Sequence, residues 1–147
     1  MLNDRIDRDM KTAMKEKKET ALRTIRMLKA AIKNKEIEKK VKTLSEDDLL
    51  EVIQKQVKQR RDSVQEYEKA GRRDLADKET EEIAVLGQYL PQPLSEAELK
   101  ALVQEVIQAT GAKAKADIGK VMKAVMPKVR GRADGKQINQ VAASLLP

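Results

Sequence analysis

Apolar residues recur at helical intervals along almost the whole chain. Leu2, Ile6, Met10 and Met14 are spaced by four and predict an amphipathic helix over about residues 3–16, stopped by the polar run Lys15-Glu16-Lys17-Lys18. Ala21, Ile25, Leu28 and Ile32 share one face of a second helix reaching about Lys40, with Lys33, Lys35, Lys39 and Lys40 toward its negative end. Ser45 before Glu46-Asp47-Asp48 is an N-cap followed by acids that suit a positive helix end. Behind it Leu50, Ile53, Val57, Arg60, Val64 and Tyr67 alternate steps of three and four, a coiled-coil-like seam broken at Arg60. This third helix closes at Ala70-Gly71, where glycine accepts the left-handed conformation. A fourth begins near Asp74 and turns Leu75, Ile83, Leu86 and Leu90 inward.

Leu90-Pro91-Gln92-Pro93 is the strongest break, because two prolines remove backbone donors and push their predecessors toward extended conformations. Ser95 and Glu98 have capping-box spacing at the head of a fifth helix with Leu99, Leu102, Val103, Val106 and Ile107 on its inner face. Asp117 is positioned to cap a short sixth helix burying Ile118, Val121, Met122 and Val125, ended near Pro127. After the Gly131-Arg132-Ala133-Asp134-Gly135 turn, Ile138, Val141, Ala142 and Leu145 define a seventh. The expected fold is all-α: an N-terminal region of about four helices over residues 1–92, then a small three-helix C-terminal domain over 93–147.

Composition agrees with this pattern. Of 147 residues, 37% are charged and 1% aromatic, with 6 Gly and 4 Pro, a mixture that favours helical bundles over strands. The absence of Cys and His removes disulfides, thiol nucleophiles, imidazole bases and the commonest transition-metal ligands. Charge close to Met1, at Asp4, Arg5 and Asp7, occupies the place where a secretory leader needs an apolar run. The longest apolar stretch, Ile83 to Leu86, is too short to cross a bilayer, and a cytoplasmic protein without a membrane partner is expected.

Little catalytic chemistry survives these exclusions. Glu79, Glu81 and Glu82 offer oxygens to a hard cation, but Glu81 and Glu82 point about 100° apart on a helix and read as a solvated acidic face. No Gly-x-Ser-x-Gly elbow, phosphate-binding glycine loop or amidase-type Ser-Ser-Lys region is present. No catalytic residue, metal or cofactor is therefore assigned. Lys58, Arg60, Arg61, Arg72 and Arg73 make a second basic group, which Asp62, Glu66, Glu68 and Asp74 are placed to neutralise as solvated ion pairs.

Charge is unevenly distributed. Between Gly111 and Lys136, Lys113, Lys115, Lys120, Lys123, Lys128, Arg130, Arg132 and Lys136 face only Asp117 and Asp134, so the segment holds +6 of the chain's net +7. These eight residues are the candidate nucleic-acid-binding site, with helix N-termini near Asp117 and Gly135 as further phosphate contacts. A basic, merely solvated surface is the alternative. Because Tyr67 and Tyr89 are the only aromatics and both read as core, bases have no stacking platform, and a structured RNA recognised by backbone and shape is the expected partner.

Ile118-Gly119-Lys120-Val121-Met122-Lys123 and Gly131-Arg132-Ala133-Asp134-Gly135 resemble the tail domain of the B subunit of tRNA-dependent amidotransferases. Leu22-Arg23-Thr24-Ile25-Arg26, Lys58-Gln59-Arg60-Arg61 and Tyr89-Leu90-Pro91 resemble the stand-alone YqeY family, which shares that tail. The resemblance spans essentially the whole chain. It implies a two-domain helical protein whose tail contacts the body of a tRNA, with Lys120, Lys123, Arg130 and Arg132 facing it. The family label of carbon-nitrogen ligase with glutamine as amido donor belongs to the full enzyme, whose catalytic domain is not in this chain. Three functions follow as expectations: a non-catalytic accessory that binds tRNA or associates with an amidotransferase or tRNA-synthetase complex; a helical protein-interaction module; and an amidotransferase component active only in a complex.

Overall fold

The computed structural model describes residues 1–147 and is helical throughout, with no strand. The seven helices are α1 (Leu2–Lys15), α2 (Glu19–Lys39), α3 (Glu46–Lys69), α4 (Arg73–Gly87), α5 (Glu96–Thr110), α6 (Ile118–Val125) and α7 (Gly135–Leu145). Short 3-10 turns at Lys115–Asp117 and Met126–Lys128 flank α6. The chain divides into two compact units, Met1–Leu90 and Pro91–Pro147, each with its own core.

In the first unit, α1 with α2 and α3 with α4 form helical hairpins around Ile6, Ile25, Leu28, Ile32, Leu49, Ile53, Val57 and Leu86. Gly71 turns the second hairpin with φ +72, the left-handed conformation that made glycine legible there. Two details differ from the expected pattern. Met14 is half exposed and Ala13 takes its place in the core. On α3 the innermost leucine is Leu49 rather than the half-buried Leu50. Leu44, just before the Ser45 cap, shares the core with Leu49, the staple geometry that fixes how the chain enters a helix.

The acidic face expected on α4 is not wholly solvated. Glu82 is 4% exposed and Arg60 7%. Arg60 Nη1 donates to Glu82 and, at 3.3 Å, to Glu79, while Arg23 Nη2 reaches the other Glu82 oxygen at 3.0 Å. The carboxylate is thus held by guanidinium groups from α2 and α3. Arg60 is accordingly no solvated cation, because a charge at this depth needs a partner on a neighbouring helix. Arg72 and Asp74 do pair as expected, at 3.2 Å on the surface, which holds the Asp74 carboxyl below its ordinary range. At the far end of the unit, buried Tyr89 donates to Asp9 at 2.6 Å beneath the Arg5 guanidinium.

In the second unit α5, α6 and α7 pack mutually around Val103, Val106, Val121, Val125, Val129, Ile138 and Ala142. Ser95 caps α5 by accepting from Glu98 N–H at 3.1 Å, and Leu94 and Leu99 repeat the staple seen at Leu44 and Leu49. No return bond from Glu98 is formed; its carboxylate lies 3.9 Å from Arg132 instead. The reciprocal box is at α7, where Asp134 accepts from Gln137 N–H at 2.8 Å and the Gln137 side chain accepts from Asp134 N–H at 3.2 Å. No helix is long and apolar enough to cross a membrane.

Candidate nucleic-acid interface

The eight basic positions separate into two kinds once placed on α6, α7 and their connecting turns. Lys113, Lys115, Lys120, Lys123, Lys128 and Lys136 are exposed, and none of their ammonium groups is in an ion pair. Lys120 and Lys123, three residues apart on α6, project on the side opposite buried Val121 and Val125. Lys113 and Lys115 lie in the connector that leads into α6, and Lys128 in the turn that leaves it. Five lysines therefore follow one helix from end to end, while Lys136 stands in the first turn of α7.

The two arginines differ. Both are half-buried, and Arg132 is committed to the fold. Its Nε donates to Gln92 O at 2.8 Å, its carbonyl accepts from Leu94 N–H at 3.0 Å, and its guanidinium faces Glu98. Arg130 is likewise engaged and is not a free cation. Arg132 therefore has fewer donors to offer a phosphate: a guanidinium bonded to the chain's own carbonyl has given up part of its donor fork.

Of the two helix N-termini, that of α7 is also spoken for. At α7 the Asp134 carboxylate occupies the position an external phosphate would take. At α6 Asp117 makes no side-chain cap; its carboxylate accepts from Lys113 N–H at 3.0 Å. That bond, with Ala114 N–H and the charge of Lys120, holds the Asp117 carboxyl below its ordinary range. The Gly131-Arg132-Ala133-Asp134-Gly135 motif consequently reads as architecture. Gly131 takes φ +75, Arg132 ties down Gln92, Ala133 is buried and Asp134 caps α7. Gly119, by contrast, has open space over its backbone beside Lys120.

The opposing charge of the second unit lies outside residues 111–136. The helix before them, α5, carries Glu96, Glu98 and Glu105 against Lys100, so the second unit is polarised, with acid on α5 and unpaired lysine along α6. Counting charges helix by helix would have revealed it. No group of three or more acidic side chains is arranged to hold a metal ion.

A two-unit, all-helical protein with a lysine-lined second unit matches the family described as Yqey-like protein over residues 3–146. The chain belongs to the YqeY family. Among its relatives are proteins named altered inheritance of mitochondria protein 41, mitochondrial. That of Pyrenophora tritici-repentis is 36% identical over 88% of this chain and 71% of its own length. That of Lachancea thermotolerans is 40% identical over 69% and 56%, and that of Kluyveromyces lactis 43% over 57% and 45%. The chain thus spans about half the length of the latter two. Their names overturn the expectation of a cytoplasmic protein. That expectation rested on the want of an apolar leader, a test that is blind to mitochondrial import, which uses amphipathic, arginine-rich segments.

Proposed function

We propose that this protein is an RNA-binding accessory without chemistry of its own, gripping the phosphate backbone of a folded RNA, tRNA foremost, through the lysines along α6. The observation that carries the reading is the concentration of six exposed lysines, none in an ion pair, along α6, its flanking turns and the start of α7, in a segment that holds +6 of the chain's net +7. Lysine is a mobile point charge suited to phosphate, and cations left unpaired gain most when they displace condensed counterions. Shape rather than base identity is the basis of recognition, since Tyr89 is buried and Tyr67 half-buried. The resemblance to the amidotransferase tail supports tRNA as the RNA, and an amidotransferase or tRNA-synthetase complex as the setting.

Fluorescence titration of labelled tRNA with the full chain tests this. Binding should be tight at low salt and weaken steeply as salt rises, with the log-log slope falling by about one for each phosphate-contacting lysine replaced. No binding at low salt would remove the proposal.

A further inference from the structure

We propose that Gly119 is where the sugar–phosphate backbone of the bound RNA meets the main chain of α6, a contact made by the missing side chain and not by charge. Of the six glycines, five have a reason inside the fold. Gly71, Gly111 and Gly131 take positive φ, Gly87 closes α4, and Gly135 is half-buried beside Met122. Gly119 has none. It lies within α6 in ordinary helical backbone, it is exposed, and a Cβ placed on it would meet no atom within 4 Å. Alanine would fit there and, losing less backbone entropy on folding, would suit an eight-residue helix better. A glycine that the fold does not require marks a place where something outside the chain approaches the main chain closely.

The surroundings identify the visitor. Lys123 lies one turn on from Gly119, Lys115 one turn back and Lys120 beside it, all exposed and in no ion pair. The acids of this unit do not fill the opening. Asp117, the nearest in sequence, accepts from Lys113 N–H, Asp134 caps α7, Glu98 faces Arg132, and Glu96 and Glu105 of α5 pair with none of these lysines. A protein partner docking by apolar surface would find only Met126, 41% exposed and the one large apolar side chain exposed in this unit. Lysines grouped around an uncovered stretch of main chain suit a polyanion, whose phosphates they hold while its backbone rests on Gly119. The inference rests on the proposed RNA binding and adds to it a contact without charge.

The test is a salt-series titration of labelled tRNA with the full chain carrying Gly119→Ala or Gly119→Gln, neutral changes that keep every lysine. By circular dichroism both variants should fold and melt at or slightly above the parent temperature. Gly119→Gln should bind about tenfold or more weakly, and Gly119→Ala less severely. Each should displace the log-log line in parallel, because the long lysine stems still reach their phosphates and the counterion count is kept. Lys120→Ala should instead flatten the slope by about one. Gly87→Gln, at the exposed end of α4 in the first unit, should stay within about twofold of the parent. Binding by Gly119→Gln within about twofold of the parent would overturn the inference and leave the RNA reading standing. Weakened binding with a lowered melting temperature would overturn it by showing the glycine to be structural. So would a protein that co-purifies with the tagged parent but not with Gly119→Gln while tRNA affinity is unchanged, which assigns the opening to protein. No tRNA binding by the parent would remove the inference and the RNA reading together.

Discussion

The two units use charge in opposite ways. In the first, Arg60, Arg23, Glu79 and Glu82 join α2, α3 and α4, and Arg60 and Glu82 are nearly removed from solvent. In the second, α6 carries Lys120 and Lys123 exposed and in no ion pair, with only Asp117 near enough to feel the charge of Lys120, while the core beneath is built largely of valines. Burial explains the difference. An ion in the interior must be neutralised by its own protein, whereas an exposed lysine costs little unpaired and remains available to something else. The first arrangement holds a fold together, and the second leaves a surface whose charge is unspent.

The comparison is sharpened most by removing the shared carboxylate. Glu82→Ala leaves Arg60 buried with only the more distant Glu79, and should cost about 3–5 kcal/mol in chemical denaturation. Arg60→Met combined with Glu82→Leu should recover most of that loss, since an apolar pair of similar volume needs no partner. Ile138→Ala in the second unit should cost about 2–5 kcal/mol through the cavity it leaves, with amide exchange rising across α5, α6 and α7. Asp134→Ala should cost about 1 kcal/mol by opening the α7 capping box. Smallest is Lys120→Ala with Lys123→Ala, which should move stability by no more than about 0.5 kcal/mol at each position, because neither side chain holds anything in place. A large loss there would show these lysines to be structural and erase the contrast between the units.

Much of the architecture was legible in the chain. Seven helices follow from apolar spacing, and Ser45, Gly71, Ser95 and the Pro91-Gln92-Pro93 run mark ends that local physics alone dictates. What escaped is whatever depends on a second helix. Periodicity shows that Arg60 interrupts a seam, but not that Glu82, 22 positions away, waits opposite it. Ser95 and Glu98 have the spacing of a reciprocal cap, yet Arg132 draws Glu98 away, and Asp134 with Gln137 forms the box that spacing had not singled out. Asp117 similarly satisfies Lys113 N–H rather than the helix behind it.

The residues that carry the family resemblance divide in the same way. Arg23 and Arg60, from two separate motifs, converge on one carboxylate, and Tyr89 from a third anchors to Asp9. In the second unit the Gly131-Arg132-Ala133-Asp134-Gly135 turn is likewise occupied by its own hydrogen bonds. Lys120 and Lys123 of the remaining tail motif have no such employment. Among eight basic positions in one segment, sequence spacing alone could not distinguish arginine used as a brace from lysine left free; the hydrogen bonds of Arg132 make the distinction.

The most direct test moves equal charge in the two units. Lys120→Glu with Lys123→Glu is compared with Lys55→Glu and Lys58→Glu, exposed lysines of α3, so that both variants change net charge equally. Binding of each to labelled tRNA is measured across a salt series. The account predicts that the α6 variant loses most of its affinity and about two units of salt slope, while the α3 variant keeps a slope close to that of the parent chain. Equal losses from the two variants would show that net charge alone attracts the RNA, and would contradict a binding surface on the second unit.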